Sequence, residues 1–129
     1  MAIQSFDDLH DNRVLRCCAD FGAHTLHIDT LTEGGEKISV LFTGLLAHRF
    51  EDVTQDNILF DMEEITVDDF FQQYKNLLYN SLRYGFPACC SAEELQERMD
   101  QEKIRVFIIS SSLGLCGFVL AQEVQIQCS

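Results

Sequence analysis

Two alternating runs joined by a glycine turn constrain this chain more than any other feature. Thr25 to Leu31 alternates, with Leu26 and Ile28 on one side and Thr25, His27 and Asp29 on the other. Lys37 to Thr43 puts Ile38, Val40 and Phe42 on one side. Period-two alternation marks a strand with one face in a core. Glu33-Gly34-Gly35-Glu36 lies between the runs, and glycine supplies the positive φ that a tight hairpin turn needs. The chain is therefore expected to contain antiparallel sheet.

Further strands are expected on both sides of this hairpin. Arg13 to Phe21 alternates loosely, with Val14, Arg16 and Cys18 on one face and Leu15, Cys17 and Ala19 on the other, and Gly22 ends it. Leu45 to Val53 follows the break at Gly44, and Ile58 to Ile65 carries Ile58 and Phe60 on one face. Ile104 to Ser110 is rich in β-branched residues, Leu113-Gly114-Leu115 reads as a turn, and Gly117 to Gln127 reads as one long final strand. Simple alternation along that strand groups Val119, Ala121, Glu123, Gln125 and Gln127 on one face, with Phe118, Leu120, Val124 and Ile126 on the other.

Two helices interrupt the strands. Thr66 is an N-cap with Asp69 three residues on, and Phe70, Phe71, Tyr74, Leu77, Leu78 and Leu82 recur at helical spacing up to Gly85 and Pro87. Ser91-Ala92-Glu93-Glu94 is a capping box for a second helix ending near Gln101. Ser5 and Asp8 suggest a short helical turn over Ser5 to His10. Segregated strands and helices give an α+β class: one domain over residues 1–129, a largely antiparallel sheet, and two helices inserted before the last strand pair and packed on one face.

A chain of 129 residues with 47% hydrophobic side chains and ten Phe builds a core without staples. No apolar run approaches the ~18 residues of a membrane span. Met1 to Asn12 is polar and acidic, without the basic and apolar regions of a signal peptide, so a cytoplasmic location is expected. The six cysteines include the adjacent pairs Cys17-Cys18 and Cys89-Cys90, a placement that suits reduced thiols better than a disulfide framework. No C-x-x-C or ligand-spaced Cys/His pairing is present, and no cofactor is expected.

Charge narrows the function. The chain has 21 acidic and 9 basic side chains, a formal net charge of −12. Eight of the acids fall between Glu51 and Asp69, a stretch with no Lys or Arg. Such a patch repels nucleic acid and anionic lipid and attracts basic protein surfaces. The expected partner is a basic protein, and the expected contacts are Glu51, Asp52, Asp56, Asp61, Glu63 and Glu64. The same acids serve solubility, and the sequence leaves both roles open.

Two segments together carry a family resemblance. Phe50-Glu51-Asp52 is followed by Asn57-Ile58-Leu59-Phe60-Asp61-Met62-Glu63-Glu64, and Phe107-Ile108-Ile109-Ser110-Ser111-Ser112 runs on into Leu113-Gly114-Leu115-Cys116-Gly117-Phe118-Val119-Leu120-Ala121. Both resemble the small bacterial proteins called YxiG-like, as does Leu9-His10-Asp11 before a strand. The general form is also similar to immunity proteins of bacterial polymorphic-toxin systems. The resemblance implies a non-enzymatic protein-binding module that neutralises a toxin domain. It implies no catalytic residues.

The alternative is a small enzyme or small-ligand protein with a pocket between sheet and helices, built from His10, Asp11, His27 and Asp61. Asp61 and Glu63 share one strand face while Glu64 points the other way, so two carboxylates could meet a hard cation, though such a site needs several more oxygens. His24 and His27 have H-x-x-H spacing, but on a strand the two rings face opposite ways and cannot chelate one ion. Ser110-Ser111-Ser112 with Gly114 and Gly117 lacks the strand-to-helix elbow of a serine nucleophile and reads as a tight turn. Phe70, Phe71, Tyr74 and Leu78 read as core. The final strand, charged only at Glu123 from Gly117 to Ser129, could pair with a second copy if it lies at a sheet edge.

Overall fold

The computed structural model describes residues 5–87 and 89–128. Met1 to Gln4, part of the stretch read above as a polar N-terminus, lie outside the described residues, as do Ala88 and Ser129. Among the described residues, eight strands form one antiparallel sheet: β1 Arg13–Asp20, β2 Thr25–Leu31, β3 Lys37–Thr43, β4 Ala47–Glu51, β5 Asn57–Ile65, β6 Arg105–Leu113, β7 Cys116–Ala121 and β8 Glu123–Cys128. Three helices, α1 Val67–Gln73, α2 Lys75–Ser81 and α3 Ala92–Gln101, lie between β5 and β6. The α+β class and the antiparallel pairing are as expected; in place of two helices before a last strand pair, three helices are followed by three strands.

The strand order is β4-β7-β6-β5-β1-β2-β3-β8. Its two ends are joined by the chain itself. β7 and β8 are separated only by Gln122, and β3 and β4 only by residues 44–46. The two bent strands run side by side, β3 against β8 and β4 against β7. At the bend the Gln122 amide donates to Thr43 O at 3.0 Å and Gly44 O at 3.2 Å, and the Leu46 amide donates to Leu120 O at 2.8 Å. The sheet therefore rolls, with β4 and β8 as its two end strands. Phe42 on β3 touches Phe107 on β6 across the interior, with ring centroids 5.2 Å apart. Leu26, Ile28, Val40, Leu59, Met62, Ile109 and Val119 fill the same interior, and Phe6 and Leu9, from a short 3-10 turn at Phe6–Leu9, pack into it.

The helices cover part of the outside. Phe70, Leu78, Leu82, Leu95 and Met99 pack on Val106, Phe118 and Leu120. Phe118 is the centre of this second core, with Phe70 and Tyr74 ring centroids at 5.0 and 4.9 Å. The caps are those expected: Thr66 Oγ1 accepts from the Asp69 amide at 3.1 Å and Ser91 Oγ from the Glu94 amide at 3.2 Å. The single helix expected from Thr66 to Gly85 is two. Tyr74, at φ −107 and ψ 24, steps out of helical geometry between α1 and α2 while its ring stays packed on Phe118.

Two expectations about faces and one about strand length are corrected. β1 does not group Val14 with Arg16 and Cys18. Its register slips between Val14 and Arg16, so Val14 pairs with Thr30 while Cys17 pairs with Ile28, and Val14, Cys17 and Ala19 share the inner side. The final strand does not group Val119 and Ala121 with Glu123. The corner at Gln122 resets the alternation, so Val119, Ala121, Val124 and Ile126 all pack on the interior, while Glu123, Gln125 and Gln127 face out. The strand expected over Leu45 to Val53 is shorter, because Gly44 to Leu46 make the corner and Asp52, at φ 58, ends the run. Ile58 and Phe60 do share a face, the outer one, and the inward positions of β5 are Leu59 and Met62.

Candidate functional site

The outer face of β4, β7, β6 and β5 can be read row by row from the register. Ile65, Val106, Leu120 and Ala47 form a row beneath the helices. The next row is Glu63, Ile108, Phe118 and Arg49. One step further, Asp61 pairs with Ser110, and Cys116 pairs with Glu51. In that last row Glu51 and Ser110 are exposed while Asp61 and Cys116 are half-buried. A cleft of about 360 Å³ opens beside it, lined by Arg49, Glu51, Tyr74, Ile108, Ser110 and Cys116 among others.

The six acids singled out from the sequence have different fates. Asp61 and Glu63 share the outer face of β5. Glu51 ends β4 and is held by Arg49, whose Nη2 lies 3.1 Å from its carboxylate. Asp52 and Asp56 stand exposed on the loop that follows β4. Among the described residues, Asp52, Asp56, Asp61 and Glu63 form no ion pair. Glu64 points to the other side, opposite Phe107, where Arg105 donates to both carboxylate oxygens at 2.8 and 3.0 Å. That fork holds the Glu64 carboxyl below its ordinary pKa, and Glu64 adds no free charge to the outer face.

Of the four candidate pocket residues, His10 and Asp11 lie against β5 at Leu59 and Phe60, next to Asp61 in the chain, and His27 lies apart on β2. His10 and Asp11 sit together, with Nε2 3.5 Å from Oδ2, and the His10 ring packs on Phe60 at 5.3 Å. Asp61 lies on β5 opposite Ser110. His27 is on β2, where its Nε2 is 3.2 Å from Asp29. Asp29 is the better-built polar group and sequence reasoning passed over it. It is buried, accepts from Ser39 Oγ at 2.7 Å, and has Lys37 Nζ at 3.9 Å. The hydroxyl hydrogen bond chiefly, with His27, Lys37 and Arg16 behind it, keeps its carboxyl below the ordinary range. The signal was the alternation itself, which places Asp29 beside His27 on one face.

The serine-rich turn is structural. Ser111 Oγ donates to Leu115 O. Asn57, buried, accepts from the amides of Leu115 at 2.8 Å and Thr54 at 3.0 Å, and its Nδ2 donates to Thr54 O at 2.8 Å. A side chain on Gly114, which has φ +82, would run into Asn57 Oδ1. In the adjoining cleft, burial and the neighbouring Asp52 and Glu51 push the Cys116 thiol up, away from the thiolate that nucleophilic chemistry requires. All six cysteines are unbonded.

No helix of the described residues is long and apolar enough to cross a membrane. No family model, curated protein or solved structure matches this chain.

Proposed function

We propose that this protein is a cytoplasmic binding module for a basic protein, of the kind an immunity protein provides when it neutralises a toxin domain. The observation that carries the reading is a set of carboxylates with no ion pair among the described residues, Asp61 and Glu63 on the outer face of β5 and Asp52 and Asp56 on the loop after β4. Unpaired surface charge of one sign steers an oppositely charged partner and raises its association rate. A nuclease that grips phosphate with a basic cleft is one such partner, because carboxylates can occupy that cleft in place of phosphate. The resemblance to YxiG-like and immunity proteins points the same way. The raised pKa of Cys116 and the placement of His27 on β2, paired with Asp29 rather than with His10 or Asp61, favour binding over catalysis.

The test is co-purification from the source host with the tagged wild type and with D52K/D56K/D61K/E63K. The expected result is a basic protein recovered with the wild type and absent with the variant. Recovery of no partner, or of one that ignores the four reversals, contradicts the reading.

A second reading, self-association, rests on β8. It ends the sheet, pairs among the described residues only with β3, and carries a single charge, Glu123. An unblunted antiparallel edge is its own complement, so two copies can pair β8 to β8 about a two-fold axis. Light scattering in reducing buffer at tens of micromolar is expected to give a dimer. A monomeric mass there excludes this interface.

A further inference from the structure

The outer face of β1, β5 and β6 carries apolar side chains that the fold has turned outward at three irregularities. In β5 both Phe60 and Asp61 lie between the inward Leu59 and Met62, so Phe60 is left 52% exposed. In β1 Leu15 and Arg16 both lie between Val14 and Cys17, and Leu15 is 48% exposed. In β6 the register slips at Ser112, which sets Leu113 opposite Ile58 and leaves it 48% exposed. Leu113, Ile58 and Arg13 form one row across the three strands. Phe60 lies two residues from Ile58 along β5, and Leu15 two residues from Arg13 along β1, on the opposite side of the row.

Acid marks both ends of this diagonal. Beside Phe60 stand Asp61, its neighbour in β5, and Asp11, whose amide donates to Leu59 O at 2.9 Å. Beside Leu15, one step past the pairing of Val14 with Asn57, stands Asp56. Arg13 stands in the row as an exposed cation between Ile58 and Leu15, so the apolar part of the patch is largest at Phe60, Ile58 and Leu113; exposed large side chains gathered on one face mark protein interfaces. Each bulge gives up ladder hydrogen bonds to re-aim a side chain.

We infer that the Phe60–Ile58–Leu113–Leu15 patch is the centre of the interface with the basic partner, and that the partner presents an apolar side chain flanked by cations. The inference rests on the reading of the acidic face as a protein-binding surface. It adds that charge alone does not hold the complex: the apolar centre sets affinity and the acids set the encounter.

Two synthetic probes separate these contributions. One is a 14-residue amphipathic peptide of Lys and Leu, the other an oligolysine of equal charge. The expected result is that the Lys/Leu peptide binds about tenfold more tightly or better, a difference of about 1.4 kcal/mol. Its amide chemical-shift changes should centre on Leu15, Ile58, Phe60 and Leu113. F60S/L113S, or L15S as a milder variant, should remove that advantage while oligolysine binding persists. Equal affinity for the two peptides, shift changes centred elsewhere, or concentration-dependent shifts at the patch without peptide all overturn the inference. If oligolysine binding responds to D61K/E63K but the apolar variants change nothing, the patch fails and the acidic-face reading stands. If neither peptide binds, both fall.

Discussion

Phe107→Ala is expected to destabilise the protein by about 3–5 kcal/mol, measured by denaturant unfolding. Phe107 is fully buried at the middle of the rolled sheet. Its ring meets Phe42 at 5.2 Å and Phe6 at 6.1 Å, and the Arg105 guanidinium lies 5.2 Å above it. Truncation therefore removes contacts from β3, from the Phe6–Leu9 turn and from β6 itself, and strands on opposite walls cannot collapse to fill the void. Phe60→Ala is the control: its side chain is half exposed, and the change is expected to stay within about 0.5 kcal/mol. A Phe107→Ala loss below about 1 kcal/mol contradicts an interior that spans the roll.

Asn57→Ala is the second large loss, about 1–3 kcal/mol, since the buried Leu115 amide is left without its acceptor. One side chain ties two loops, bonding Thr54 on its own side and Leu115 across the β6–β7 turn. Asn57→Asp keeps the acceptor but loses the Nδ2 donor and sets a carboxylate against Thr54 O, so an intermediate loss is expected. Hydrogen exchange gives the site-specific readout: the Leu115 amide should lose its protection in Asn57→Ala and keep part of it in Asn57→Asp. Unchanged protection in Asn57→Ala contradicts the assignment.

Much of this fold is local and so was legible. The Thr25–Thr43 hairpin follows from alternation and two glycines, and the caps at Thr66 and Ser91 from residue spacing. What was not legible depends on a partner strand. A bulge in β1 or β5 changes which side chains face inward, and nothing in Val14-Leu15-Arg16 or Leu59-Phe60-Asp61 announces it without the opposing register. The corner at Gln122 hides for the same reason, since Thr43 and Gly44 are far away in sequence.

The candidate surface divides along the same line. The acid block between Glu51 and Asp69 is plain in the sequence, as is the opposition of Asp61 and Glu63 to Glu64. The pairing of Glu64 with Arg105 joins residues 41 apart and appears only in three dimensions. So does the outward turn of Phe60, Leu15 and Leu113, whose apolar character argues for burial wherever alternation alone is considered.

The most direct test of the central claim, that the outer acidic face binds a basic protein, is the association rate of the co-purified partner as a function of salt. The account predicts a rate that falls at least about tenfold from about 10 mM to about 500 mM salt, because steering of this kind is worth about 10–10³ in rate and is screened by ions. It also predicts that D52K/D56K/D61K/E63K starts low and shows a flattened dependence. A partner that associates at the same rate across that range, and equally fast with the reversed face, would contradict the account.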